Sequence, residues 1–172
     1  MRIFIIGYMG SGKSTFGPKL AREMNIPFFD LDDEFEARYR INISGFFLKY
    51  GEFHFRDIEH KLLVELAKQE EFILATGGGT PCYLQNMEFM NSCGITVFLK
   101  VPLDVLVKRL NESPKKRPLL NSFSQNDFNK HVEDHLRQRE FYYESAKLIL
   151  SPLQIDPKDA ALQIRKLSAI SQ

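Results

Sequence analysis

The chain has 172 residues and a mass of 20.0 kDa, enough for one domain with its own core. Apolar residues make up 44% and charged residues 26%, which excludes global disorder as the expected state. The net charge of +1 offers no basic field to a polyanion, so nucleic acid is not an expected partner.

Ile3-Phe4-Ile5-Ile6 is the first predicted strand. It is too short for a signal-peptide core, and no later run approaches the ~20 apolar residues of a membrane helix. A soluble, cytoplasmic chain with no membrane partner is therefore expected. A helical pattern follows from Thr15 to Met24, with Gly17-Pro18 inside it, where a kink or a loosened turn is expected. Pro27 to Leu31 is a weaker second strand. Residues 33–60 hold several short helical patterns, and Leu62, Leu63, Leu66 and Ala67 form an apolar helical stripe. Phe72–Ala75 and Ile95–Leu99 are the third and fourth strands, and Leu103, Leu106, Val107 and Leu110 make a second stripe. Residues 111–126 are polar, basic at Lys115, Lys116 and Arg117, and broken by Pro114 and Pro118, the composition of a mobile flap. Leu148–Leu150 is a short fifth strand. Continuously apolar strands alternating with helices predict an α/β three-layer fold, a parallel sheet covered on both faces, in one domain over residues 1–172.

The chemistry-bearing motifs sit at the ends of these strands. Gly7-Tyr8-Met9-Gly10-Ser11-Gly12-Lys13-Ser14 fits G-x-x-x-x-G-K-[ST] and lies between a strand and a helix, the context the motif needs. Its glycines let successive N–H groups face one anion, Lys13 reaches the β- and γ-phosphates, and the Ser14 hydroxyl suits Mg²⁺. This motif establishes nucleoside triphosphate binding without saying where the phosphate goes. Asp30-Leu31-Asp32 closes the second strand, and strand period two puts both carboxylates on one face of a ligand crevice. One can serve the Mg²⁺ shell and the other can accept a proton from an attacking hydroxyl. The competing reading is a solvated turn with Asp32 or Asp33 as the N-cap of the next helix.

Gly51-Glu52-Phe53-His54-Phe55-Arg56-Asp57-Ile58-Glu59 starts a helix with Arg56 and Glu59 on one face. An arginine held by a carboxylate beside Phe55 suits bidentate capture of a small carboxylic acid; the alternative is an ordinary surface pair. Gly77-Gly78-Gly79 follows the third strand and permits close backbone approach to a ligand, against the alternative of a flexible turn. Arg117-Pro118-Leu119-Leu120 lies in the flap, where an arginine can reach the transferring phosphoryl. Arg139 follows on a helix, where spacing alone allows a substrate contact or a surface position equally. His131 and His135 lack a third metal ligand and are expected at the surface. The two cysteines, Cys82 and Cys93, are expected as packing residues; they cannot form a disulfide framework and suit a reducing compartment.

Taken in this order, these elements resemble the shikimate kinase family over about residues 2–165. The P-loop is common to many families; the combination with Asp30-Leu31-Asp32, Arg56…Glu59, the triple glycine, Arg117-Pro118-Leu119-Leu120 and Arg139…Tyr143 is specific. The resemblance implies a P-loop NTPase fold with five parallel strands ordered 2-3-1-4-5. It also implies transfer of phosphate from ATP to the 3-hydroxyl of shikimate. By that resemblance Asp32, Arg56, Gly78, Gly79 and Arg139 would hold shikimate, with Arg56 and Arg139 on its carboxylate. Lys13, Asp32 and Arg117 would carry the catalysis. ATP would lie on Gly10, Ser11, Gly12, Lys13, Ser14, Thr15 and Arg117, with Arg109 and Pro157 sandwiching adenine. Ser14 and Asp30 would serve Mg²⁺. The region around 33–60 would bind substrate, and a lid over about 111–126 would close. A monomer with a small-molecule substrate is expected. The rival readings are a P-loop kinase for gluconate or a nucleoside monophosphate, and a catalytically silent ATP-binding domain.

Overall fold

The computed structural model describes residues 1–112 and 125–170. Five strands form one parallel sheet: β1 (Arg2–Ile6), β2 (Phe28–Asp30), β3 (Phe72–Ala75), β4 (Ile95–Leu99) and β5 (Leu148–Leu150), in the order β2-β3-β1-β4-β5. Strand alternation sorts the apolar side chains between two cores. Ile3 and Ile5 of β1, with Ile73 and Val97, meet Phe16 and Leu20 of α1 (Lys13–Met24) and Ala160 and Ile164 of α7 (Pro157–Ile170). Phe4 and Ile6, with Leu74 and Phe98, face the opposite way. They pack against α3 (Ile43–Leu66), α4 (Asn86–Cys93), α5 (Leu103–Glu112) and α6 (Gln125–Glu144), through residues such as Leu63, Met90, Leu106 and Tyr143. Both faces being covered explains why these strands read as continuous apolar runs.

α1 continues through Pro18 to Met24. Gly17 beside it is buried, and a β-carbon there would overlap the Phe28 ring, so packing against β2 accounts for the glycine. α3 is interrupted at Gly51, whose φ of 80° and ψ of 165° are not helical, so Glu52 begins a second helical segment as the motif predicted. β2 ends at Asp30 and α2 (Leu31–Tyr39) begins at once.

Here the expected strand face for Asp30 and Asp32 is corrected. Asp30 is the N-cap of α2, its Oδ1 accepting the Asp32 N–H at 3.1 Å, and Asp32 lies in the first helical turn. A short polar side chain that satisfies an orphan N–H stabilises a helix start by about 1 kcal/mol, which favours opening α2 directly after Asp30. The cap is Asp30 rather than Asp32 or Asp33.

The candidate active site

The register Ile5↔Ala75 brings the carboxyl ends of β1 and β3 side by side, so the loops after them emerge together. The loop after β1 wraps on itself with Gly7, Gly10 and Gly12 at positive φ, a conformation that side chains resist. Lys13 is buried and its Nζ donates to the Gly7 carbonyl at 2.8 Å and the Tyr8 carbonyl at 3.1 Å, which arches the loop over the start of α1. Ser11 Oγ is, among the described residues, a buried side-chain oxygen without a hydrogen-bond partner. Ser14 Oγ donates to Asp30 Oδ2 at 2.6 Å, joining α1 to the end of β2. Thr15 N–H caps back onto the Gly12 carbonyl at 3.0 Å. Arg109 of α5 reaches across to the loop, its Nη1 donating to the Gly10 carbonyl at 2.9 Å and the Ser11 carbonyl at 3.4 Å. Pro157 opens α7; among the described residues no hydrogen bond or ion pair joins it to Arg109.

The loop after β3 packs against this cradle. A β-carbon on Gly78 would lie 3.3 Å from the Met9 N and 3.7 Å from the Gly7 carbonyl oxygen. Gly77 is hemmed in by two acids, since a β-carbon there would lie 2.8 Å from Glu59 Oε1 and 2.9 Å from Asp32 Oδ1. These are close-approach glycines, and the alternative of a merely flexible turn is set aside.

Arg56 is the centre of the acceptor side. Its Nη1 donates to Glu59 Oε2 at 2.8 Å, and its Nη2 and Nε donate to Glu52 Oε1 at 2.9 and 3.2 Å. The Tyr83 ring covers the guanidinium at 4.4 Å, with Phe55 at 5.1 Å and Phe47 at 5.9 Å. Glu59 is only 2% exposed and also accepts the Thr80 hydroxyl at 2.6 Å, so this is not an ordinary surface pair. A buried carboxylate with both oxygens bonded holds its arginine in one orientation. The chain of contacts continues: Asn86 Nδ2 donates to the Thr80 carbonyl at 2.9 Å, and His60 Nδ1 lies 2.6 Å from Asn86 Oδ1.

Burial first, and then the carboxylates of Asp30 and Glu59, raise the Asp32 pKa to about 6, against the opposing pull of Lys13 and Arg56. A carboxyl poised there can release and take up a proton near neutral pH. Arg139 of α6 is half-buried, and its charge acts on Glu52, Cys82, His135 and Tyr143, which places it at the same pocket rather than on a free helix surface. Tyr143 is buried and its hydroxyl donates to the Gly78 carbonyl at 2.5 Å.

The structure therefore gathers Lys13, Ser14, Asp30, Asp32, Arg56, Gly78, Gly79 and Arg139 at one edge of the sheet. Arg117 and most of the expected lid lie outside the described residues. His135 is corrected: it is half-buried and its Nδ1 lies 2.8 Å from the Tyr8 hydroxyl, because α6 packs over the loop after β1 instead of facing solvent. Tyr83 and Thr80 are further partners of this pocket, and neither carries a periodic or motif signal in the sequence. Glu52 was visible as the i−4 neighbour of Arg56. Cys82 and Cys93 are free and half-buried, consistent with packing.

A lysine-bearing glycine loop running from strand into helix, a hydroxyl and carboxylate beside it, and an arginine-lined acid pocket one loop away define a P-loop phosphotransferase for a small acceptor. A sequence model of the shikimate kinase family matches residues 9–168. Shikimate kinase from Phocaeicola vulgatus is 43% identical over 157 residues, covering 91% of this chain and 90% of the relative. The crystal structure of shikimate kinase from Bacteroides thetaiotaomicron superposes with a TM-score of 0.87 at 37% identity, covering 100% of this chain and 99% of that one. Shikimate kinase from Acinetobacter baumannii in complex with shikimate gives a TM-score of 0.85 at 33% identity, covering 99% and 94%. The chain belongs to the shikimate kinase family.

Proposed function

We infer that this chain transfers the γ-phosphoryl group of ATP to the 3-hydroxyl of shikimate, giving shikimate 3-phosphate and ADP in aromatic amino-acid biosynthesis. The observation that carries the reading is Asp32 beside an oriented Arg56–Glu59 pair, one loop away from the Lys13 cradle. Arg56 and Arg139 would hold the substrate carboxylate, Arg56 through its planar fork. Asp32, Gly78 and Gly79 would line the ring, with Asp32 on its hydroxyls. Asp32 would orient the 3-hydroxyl and take its proton as the new O–P bond forms and the bond from γ-phosphorus to ADP breaks. Lys13 would neutralise charge on the transferring group, and Gly10, Ser11, Gly12 and Thr15 would cradle the phosphates. The partnerless Ser11 Oγ supports this, since a bound phosphate would supply a hydrogen-bonding group. Arg117, outside the described residues, would add a second cation. Arg109, already seated on the loop, and Pro157 would flank adenine.

The Ser14 hydroxyl and Asp30 carboxylate are hard oxygen donors 2.6 Å apart, and among the described residues no cluster of three His, Cys, Asp or Glu could hold a metal by itself. That pair suits Mg²⁺, which uses one or two protein oxygens together with phosphate. When bound there, Mg²⁺ would offset phosphate charge. The protein would act as a monomer. A coupled ADP-release assay with shikimate, gluconate and nucleoside monophosphates tests the reading. Turnover is expected with shikimate; turnover of either other class without shikimate, or ATP binding with no acceptor-dependent turnover, overturns it.

A further inference from the structure

The proposed function places Arg139 on the acceptor carboxylate, and the following inference rests on that reading. α6 carries His135, Arg139 and Tyr143 at intervals of four, hence along one helical face. The two outer members are fastened to different loops. Tyr143 donates to the Gly78 carbonyl on the acceptor side. His135 Nδ1 meets the hydroxyl of Tyr8 at 2.8 Å, and the two rings stand edge to face with centroids 5.6 Å apart. Tyr8 belongs to the nucleotide loop: it is 1% exposed, and its carbonyl accepts both Lys13 Nζ and the Ser11 N–H, each at 3.1 Å. His131 stacks on His135 from the preceding turn, with centroids 5.7 Å apart. Burial, and then the charges of Arg139 and His131, lower the His135 pKa to about 4; Glu52 opposes the shift and Arg56 adds to it. The ring is thus neutral near pH 7, and its Nδ1 shares one hydrogen bond with the Tyr8 hydroxyl, whose direction follows the tautomer.

We propose that His135 is a positioning residue: through the Tyr8 hydroxyl it fastens α6 to the nucleotide loop and so sets Arg139 at the acceptor carboxylate. The Tyr143 bond holds the helix one turn after Arg139. Apolar packing of Phe128, Val132 and Leu136 fixes α6 against the core, and the Tyr8–His135 bond, one turn before Arg139, adds a directional tie to the nucleotide loop that apolar packing does not supply. A guanidinium that sways loses bidentate geometry before it loses charge. The loss therefore falls on acceptor affinity rather than on nucleotide binding.

Steady-state kinetics of the full chain with ATP, Mg²⁺ and shikimate test this with Tyr8→Phe, His135→Leu, His135→Asn and the Tyr8→Phe/His135→Leu pair. Tyr8→Phe and His135→Leu are each expected to raise the shikimate KM about 3- to 10-fold, the range one net hydrogen bond spans, with kcat and the ATP KM within about twofold. His135→Asn, whose Oδ1 can take the place of Nδ1, is expected to keep the parental KM within about twofold. The pair is expected to be no worse than either single change. A parental shikimate KM in Tyr8→Phe overturns the proposal, as do additive single effects, or a lowered Tm in His135→Leu with KM unmoved. Tyr8→Phe removes one oxygen and decides the matter even if His135→Leu does not fold. If the parent turns over no shikimate, the functional reading fails and this assignment with it. If the parent turns over shikimate and the variants match it, the His135 assignment alone fails.

Discussion

Gly79→Ala tests how the acceptor pocket is assembled. Gly79 sits at φ −92° and ψ −17°, a basin that alanine adopts without strain, so any effect comes from the added methyl group. Its β-carbon would lie 2.5 Å from Arg56 Nη2, 2.8 Å from Cζ and 2.9 Å from Nη1. Non-bonded heavy atoms rest at about 3.5 Å, so the guanidinium must retreat by about 1 Å. It has little room, because Glu59 holds Nη1, Glu52 holds Nη2 and the Tyr83 ring covers the guanidinium at 4.4 Å. A displacement of that size stretches at least one charge-assisted hydrogen bond, a class whose loss costs about 1.5–3 kcal/mol. That cost corresponds to about 10- to 100-fold in affinity. In the coupled ADP-release assay the shikimate KM of Gly79→Ala is expected to rise by that factor, with the ATP KM within about twofold and the far-UV dichroism unchanged. A shikimate KM within twofold of the parent would refute the claim that Arg56 is wedged between Gly79 and its two carboxylates at the acceptor site.

Asp32→Asn is expected to lower kcat by about 10²–10⁴ with nucleotide binding retained. In the metal-free protein its pKa near 6 means that the folded chain keeps, between about pH 4 and 6, a proton the unfolded chain has released. The Asp32 contribution to stability is therefore full below about pH 4 and declines as pH rises through 6; a Tm–pH curve of Asp32→Asn parallel to the parent's across that window refutes this. Asp30→Asn keeps the helix cap, because asparagine caps as well as aspartate, but removes the charge beside Ser14. It is expected to raise the Mg²⁺ concentration for half-maximal rate, and an unshifted Mg²⁺ titration contradicts that. Gly17→Ala forces a methyl group into the Phe28 ring, an overpacking worth about 1–3 kcal/mol and offset by about 1 kcal/mol of helix propensity. A Tm lower by up to about 8 °C with kcat unchanged is expected in a thermal scan, and a raised Tm overturns the packing account.

Local pattern alone determined the layered α/β class with a parallel sheet, while the strand order followed only from the family resemblance. The continuous apolar runs of β1, β3 and β4 required burial on both faces, and the glycine-rich motif between strand and helix marked the nucleotide loop, because both signals live within a few neighbouring residues. The i,i+3 spacing of Arg56 and Glu59 was equally legible. Where a side chain's partner lies far along the chain, the sequence carried no such signal. Period two placed Asp30 and Asp32 on one strand face, yet the strand ends at Asp30, which caps α2 and accepts from Ser14, while Asp32 lies in the first helical turn beside Gly77. Glu59 became a buried anchor only because Thr80 packs against it from 21 residues away. Tyr8 and His135, 127 residues apart, meet only because α6 packs over the loop after β1. A helix face or a strand face is set by backbone periodicity, which sequence spacing records; which face meets which is set by the packing of the whole sheet with its helices, and only the tertiary structure holds that information.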